Sequence, residues 1–323
     1  MPNIAITNFC NLQCKYCFAD DMIQEEPEYM SFEKFQKALA FCSTLGSTRI
    51  GIIGGEPTLH PQFGLFLDEV IDFCQHTNSK GLIFTNGINL EPYLDKVGEY
   101  IDVLVNCNSP LFQSKEQYEQ ILHTLDLCPD LIQKDIVRCG CNIYLDCDDY
   151  SYFWEDIVDK YHPPVVRMSL VSPGKCYSSW NTQEKKEDYY SLLKPYVIEF
   201  IKEADKRGVK ICYDCNQIPI CLLTPEEKQL VMKTADELPK LRCDGGMDIN
   251  IHLEAFMCFS TYDNKVSINQ FTNPEDLSYY LLMEHIRLLR ENNKGGMCKY
   301  CEKAKLHICQ GGCLSFAKGE LLC

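Results

Sequence analysis

No apolar run in this chain approaches the roughly 18 residues that a membrane-crossing helix needs. Nor does it start like a secreted protein, because Met1 to Phe9 has no basic start, no long apolar stretch and no small-residue cleavage site. Basic side chains are in deficit, 31 Lys and Arg against 46 Asp and Glu. That balance argues against broad nucleic-acid binding, which rests on neutralising phosphates, and is compatible with a basic peptide partner. The seven histidines show no ligand spacing. Cysteine, by contrast, is plentiful, with 21 in 323 residues. An odd count in a chain long enough to build its own core is not a disulfide framework, so a reducing cytoplasm and a metal role are expected.

Extended apolar runs recur at Ile4–Ile6, Ile50–Ile53, Leu82–Phe84, Val103–Val105, Ile143–Leu145 and Val165–Leu170. Between them lie helical patterns at Ser31–Leu45, Gln62–His76, Pro92–Tyr100, Lys115–Leu127, Ser151–Tyr161 and Gln183–Arg207. Strands alternating with helices imply parallel pairing with right-handed crossovers. The expected fold class is therefore α/β, a partial (β/α)6 barrel of the TIM type over 1–208, with a small cysteine-rich domain over 209–323. Functional residues are expected on loops at the C-terminal ends of the strands.

Cys10, Cys14 and Cys17 fall on one loop directly after the first strand. Structural zinc and ordinary 4Fe-4S clusters take four protein ligands. Three thiolates leave one iron open to bind a substrate or cofactor. The second strand ends in Gly54-Gly55-Glu56-Pro57, where glycines permit close backbone approach and an acidic side chain can meet a cation. The third closes with Thr85-Asn86-Gly87.

The run Cys10, Cys14, Tyr16, Cys17 resembles the CxxxCxΦC loop of the radical S-adenosylmethionine (radical SAM) superfamily. The resemblance implies a reductive 4Fe-4S cluster on the three cysteines, with S-adenosylmethionine chelated by its open iron and cleaved to a 5'-deoxyadenosyl radical that abstracts hydrogen from a substrate. It implies cofactor contacts from Tyr16, Gly54, Gly55, Glu56 and Pro57, with the glutamate region on the methionine amino group. Thr85 is implied at the rim of the active site, and Asn108, Asn142 and Arg167 as contacts toward ribose and carboxylate. The catalytic acid or base is unassigned, and reduction calls for a donor such as flavodoxin or ferredoxin.

Seven more cysteines follow, Cys243, Cys258, Cys298, Cys301, Cys309, Cys313 and Cys323, separated by 14, 39, 2, 7, 3 and 9 residues. They resemble the SPASM extension, which carries two auxiliary 4Fe-4S clusters. By that resemblance Cys298, Cys301, Cys309 and Cys323 hold the distal cluster, and Cys243, Cys258 and Cys313 the proximal one. The central gap is seven where the family has five, and Leu253 stands where it has glycine. The proximal set is one ligand short. Cys215 or Cys221 fills it, or an iron is left open for a substrate thiolate.

Proteins with this extension mostly modify peptides, so a ribosomal-peptide maturase forming a thioether or carbon–carbon cross-link is expected. Sulfatase maturases have Asp after the second extension cysteine, and here that place is Phe259. A leader-binding domain is not evident before the first strand, so leader recognition is expected from a separate leader-binding protein or from the barrel itself. The rivals are a small-molecule dehydrogenase and a non-catalytic electron-transfer protein.

Overall fold

The computed structural model describes residues 1–24, 26–43, 46–172, 185–242, 246–294 and 296–320. Cys176, Cys243 and Cys323 lie outside the described residues.

The first strand, β1 (Asn3–Ala5), is buried and pairs in parallel with β2 (Arg49–Ile53). Parallel pairing then continues in chain order through β3 (Lys80–Thr85), β4 (Ile101–Asn106), β5 (Val137–Ile143), β6 (Val165–Leu170) and β7 (Lys210–Tyr213). On the other side of β1 lie β8 (Asp248–Ile249), parallel to it, then β9 (Glu254–Phe256) and β10 (Val266–Ser267), both antiparallel. All ten form one sheet in the order β10-β9-β8-β1-β2-β3-β4-β5-β6-β7. Sequential parallel neighbours joined by helical crossovers give the open α/β barrel that the alternating pattern predicts.

The crossovers hold α1 (Phe32–Cys42), α2 (Phe63–Thr77), α3 (Lys115–Asp126), α4 (Pro129–Gln133), α5 (Asp159–Tyr161) and α6 (Lys186–Arg207). The C-terminal part adds α7 (Pro225–Thr234), α8 (Pro274–Leu281), α9 (Arg287–Asn292) and α10 (Glu302–Lys305). Local chemistry sets their starts. Ser31 caps α1 by accepting from Lys34 N, and Ser114 with Gln117 closes a capping box on α3. Phe35, Ala38, Leu39 and Cys42 face the core from α1, and Cys74 does so from α2.

Four details differ from the sequence expectation. The fifth strand runs Val137–Ile143, six residues before the aliphatic-looking Ile143–Leu145, because its middle is Arg-Cys-Gly-Cys-Asn. Pro92–Tyr100 folds only as a 3-10 turn at Glu91–Lys96 with proline in its first turn. Ser151–Tyr161 is interrupted by a π-helical segment at Phe153–Val158. The parallel sheet also passes residue 208 through β7, so a division at 208/209 would cut it one strand short of its edge.

β8 returns to the first strand. Asn3 Nδ2 donates to Asp248 Oδ1 at 2.6 Å. Burial pushes the Asp248 carboxyl up to about 7, against the pull of Asn3 and the N-terminal amine. No helix among the described residues is long and apolar enough to cross a membrane.

Candidate active site

The cysteine loop leaves β1 and folds back onto the end of β2. Gly55 N–H donates to Thr7 O at 3.0 Å, and Glu56 N–H donates to Phe9 O at 2.8 Å. A Cβ on Gly54 would stand 2.7 Å from Thr7 O, and one on Gly55 would stand 2.2 Å from Phe9 O and 2.9 Å from Cys10 N. Both positions therefore exclude any side chain. The sequence suggested that these glycines admit a ligand; in the structure they admit the backbone of the cysteine loop.

Cys10, Cys14 and Cys17 are partly exposed. Leu12 N–H donates to Cys10 Sγ at 3.4 Å, and Asn108 Nδ2 donates to Cys14 Sγ at 3.6 Å. Cys17 N–H donates to Cys14 O at 3.0 Å, the turn that brings the third thiol back. Burial pushes Cys10 up to about 12, partly relieved by the Leu12 hydrogen bond, and Cys14 up to about 11, partly relieved by one with Tyr16. Thiols held protonated by burial ionise when a cation replaces the proton. Among the described residues no group of three Cys, His, Asp or Glu side chains is set to hold a single metal ion. Thiolates on one tetrahedral ion would stand about 3.8 Å apart, from metal–sulfur bonds of about 2.3 Å. Three thiols with N–H···S donors are the donor chemistry that an iron–sulfur cluster takes.

Glu56 is buried, and its carboxylate already has four donors. Oε1 accepts from Thr58 N at 3.1 Å, Thr58 Oγ1 at 2.6 Å and Thr85 Oγ1 at 2.7 Å, while Oε2 accepts from Asn86 N at 2.7 Å. Burial pushes its carboxyl above the usual range, and these donors pull it partly back. Glu56 thus ties the end of β2 to the end of β3, and only Oε2 has room for a further donor such as an ammonium. Thr85 is spent on Glu56 and on accepting from Gly87 N at 3.0 Å. Pro57 is buried at the start of a 3-10 turn, Pro57–Leu59.

Tyr16 turns inward, stacking on Tyr144 with ring centroids 4.3 Å apart and donating to Asn108 Oδ1. Its side chain is buried, so a cofactor contact at this position would come from its backbone. Arg167 on β6 is held by three acceptors: Asp214 Oδ2 at 2.8 Å from Nε, with Asn142 Oδ1 at 2.6 Å and Asn106 Oδ1 at 3.4 Å from Nη1. For Asp214 burial acts upward, but the Arg167 charge and hydrogen bond outweigh it and hold the carboxyl below the usual range. Asp214 was not singled out from sequence because the stretch after Val209 was read as a new domain. Its place one residue past β7 was the available signal.

Among the described residues the C-terminal cysteines have two sets of neighbours. Cys221 interacts electrostatically with Cys298, Cys309 and Cys301, whereas the expectation considered it for the proximal set. Buried Tyr190 interacts with both Cys313 and Cys215, and its hydroxyl accepts from Cys313 N at 2.8 Å. Cys258 and Cys313 precede the segments Phe259–Asn264 and Leu314–Glu320, which pack on each other. Phe259 meets Phe18 edge to face at 4.7 Å, so the residues following Cys17 and Cys258 touch.

Residues 4–129 match the model of the Radical SAM superfamily. That segment is similar to radical SAM domains. Over 194 residues it is 28% identical to the GTP 3',8-cyclase of Chlorobaculum tepidum, an alignment covering 55% of this chain and 56% of that enzyme. The chain thus spans about half the length of that curated relative. With the GTP 3',8-cyclase of Campylobacter jejuni (strain RM1221) it shares 21% identity across 90% of each chain. Among solved structures, Streptococcus suis SuiB bound to S-adenosylmethionine superposes with a TM-score of 0.63 at 17% identity, covering 97% of this chain and 72% of that one. Native anSMEcpe with bound AdoMet and Kp18Cys peptide gives 0.64 at 13%, covering 97% and 89%. At these identities the superpositions speak for a shared fold, the radical SAM partial barrel.

Proposed function

We propose that this chain is a radical SAM enzyme that abstracts hydrogen from a peptide, as a maturase forming a thioether or carbon–carbon cross-link. The observation that carries the radical SAM reading is the Cys10–Cys17 loop seated on two glycines that tolerate no Cβ, beside a glutamate locked by four donors. With a 4Fe-4S cluster and S-adenosylmethionine bound there, the site gains the chemistry of reductive sulfonium cleavage to a 5'-deoxyadenosyl radical. The chain's own contribution is orientation. Cys10, Cys14 and Cys17 would hold the cluster, Oε2 of Glu56 would accept from the methionine amino group, and Arg167, fixed by Asp214, Asn142 and Asn106, would offer its remaining donors to a carboxylate.

The peptide reading is supported by the contact of the Cys17 and Cys258 regions through Phe18 and Phe259, and by the fold shared with SuiB bound to precursor peptide SuiA. Phe259 supplies no carboxylate, which speaks against alcohol or thiol oxidation of the sulfatase type. Flavodoxin or ferredoxin is the expected reductant, in the cytoplasm. A second reading, a small-molecule substrate, is favoured by the likeness to GTP 3',8-cyclases over 90% of the chain. The two separate by hydrogen origin. Deuterium should appear in 5'-deoxyadenosine when the reduced protein meets a Cα/Cβ-deuterated cysteine-bearing peptide from a neighbouring open reading frame. Transfer from ribose-deuterated GTP, and none from the peptide, would overturn the maturase reading.

A further inference from the structure

Between Lys294 and Ile308 four lysines stand against one acid, Glu302, in a chain whose formal net charge is −15. The stretch closes on itself. Lys294 Nζ donates to His307 Nδ1 at 2.9 Å, which joins its two ends, and Lys303 O accepts from Ile308 N at 2.9 Å and from Cys309 N at 3.1 Å. Ala304 is the buried residue of α10, and Lys303 and Lys305 on either side of it are exposed, as is Lys299 in the turn before. Among the described residues none of these three lysines is in an ion pair, so their charge is left for solvent or a partner.

The same lobe exposes apolar surface. Tyr300 is 83% exposed and Leu306 68%, with Met297 and Ile308 exposed beside them in sequence. Four of the sixteen large apolar side chains exposed among the described residues thus fall within twelve positions, a concentration that marks an interaction site rather than single scattered residues. Thiols lie directly behind it. The position of a Cβ on Gly311 is 3.1 Å from Cys298 Sγ, and Gly311 N–H donates to Cys309 Sγ at 3.4 Å, so both sulfurs approach one glycine. Cys298 and Cys301 flank Lys299 and Tyr300 in the chain, and Cys298, Cys301 and Cys309 are all partly exposed.

We propose that this lobe, with Lys299, Lys303 and Lys305 around Tyr300, Leu306 and Ile308, is the docking site of an acidic one-electron carrier protein. Charge complementarity selects the partner, because a basic face on an otherwise acidic chain repels acidic proteins everywhere except here. The thiols behind the face select its chemistry. Each docking passes one electron between the carrier and iron held by these thiols, so one centre is oxidised as the other is reduced and no bond is made or broken. An apolar centre with a lysine rim suits a small, transient interface whose association is steered by charge and weakened by salt. The proposal rests on reading Cys298, Cys301 and Cys309 as iron–sulfur ligands, and it deepens the expectation of a flavodoxin or ferredoxin by giving the carrier a place to bind.

The test uses the full chain reconstituted anaerobically with ferrous iron and sulfide, and purified flavodoxin as the probe. Carbodiimide coupling should join flavodoxin carboxylates to Lys299, Lys303 or Lys305 and not to the exposed Lys115 of α3, read by peptide mass spectrometry on the unmutated pair. 5'-Deoxyadenosine formation driven by reduced flavodoxin should slow as salt rises. Reversing all three charges, Lys299→Glu with Lys303→Glu and Lys305→Glu, should raise the apparent KM for flavodoxin about tenfold or more and flatten the salt dependence, while dithionite drives variant and parent alike. Coupling spread evenly over surface lysines, or an unchanged KM in the charge-reversed variant, would overturn the docking site. The coupling map is made on the parent, so it decides the matter even if that variant fails to fold. An acidic peptide that couples to these lysines where flavodoxin does not would overturn the carrier as occupant, and iron at Cys10–Cys17 alone would overturn the electron transfer. No 5'-deoxyadenosine from the parent with dithionite would instead remove the radical SAM reading beneath the proposal.

Discussion

The two cysteine regions of this molecule are built in opposite ways. Cys10, Cys14 and Cys17 lie on one short loop, and their geometry is imposed from below by the glycines at the end of β2. The C-terminal thiols come from segments up to 88 residues apart, Cys221 to Cys309, and Gly311 has Cys298 Sγ and Lys186 Nζ beside it. The first arrangement leaves a trace in local spacing, since a turn of fixed length determines where each thiol points. The second is tertiary. The difference explains why the N-terminal set can be read from a motif, while the motif leaves the place of Cys221 among the C-terminal cysteines open.

The comparison breaks most sharply at Gly55. Adding a methyl in Gly55→Ala would put carbon 2.2 Å from Phe9 O, so the cysteine loop must move. Iron at the N-terminal site and cleavage of S-adenosylmethionine should both be largely lost, with unfolding destabilised by about 1–3 kcal/mol or more. The C-terminal iron should persist, as iron analysis and chemical denaturation can check. Next comes Glu56. Glu56→Ala orphans Asn86 N–H and the Thr58 donors, and should weaken S-adenosylmethionine binding by roughly tenfold to a hundredfold, the equivalent of about 1.5–3 kcal/mol, with clusters intact. An anaerobic binding titration reads this directly.

Asp248 joins the two regions through β1 and β8, and its effect depends on pH. Its folded pKa of about 7 lies above the usual unfolded value of about 3.9, so its contribution to stability is full below about pH 4 and is lost as pH rises through about 7. Relative to the parent, Asp248→Asn should therefore gain stability between about pH 4 and pH 7 and level off above. Denaturant titrations at several pH values measure that difference. The smallest effect is expected at Phe18, whose ring is 60% exposed and rests edge-on against Phe259. Phe18→Ala should cost about 0.5–1.5 kcal/mol and leave both iron complements unchanged.

What the sequence disclosed follows the same division. Strands rich in Ile, Val and Leu, such as Val165–Leu170, are found where the apolar runs lie. So is the loop after β1, because Cys10, Cys14 and Cys17 are close in sequence as well as in space. The fifth strand was displaced by six residues because Val137 and Ile143 flank a polar and glycine-containing middle, and parallel pairing with β4 and β6 overrides that weak propensity. Glu56 was expected to meet a ligand, yet four of its hydrogen bonds are satisfied by Thr58, Thr85 and Asn86, a contact set that no local pattern encodes. Asp214 was missed for a related reason: its partner Arg167 lies 47 residues away.

The central claim is that the loop on Gly54 and Gly55 cradles a cluster competent to cleave S-adenosylmethionine. The direct measurement is 5'-deoxyadenosine formed by the anaerobically reconstituted full chain given S-adenosylmethionine and dithionite. The account predicts formation by the parent, and none when Cys10, Cys14 and Cys17 are replaced together by alanine, while iron from the C-terminal thiols remains. Undiminished 5'-deoxyadenosine from that triple variant, or none from a parent that holds its N-terminal cluster, would contradict it.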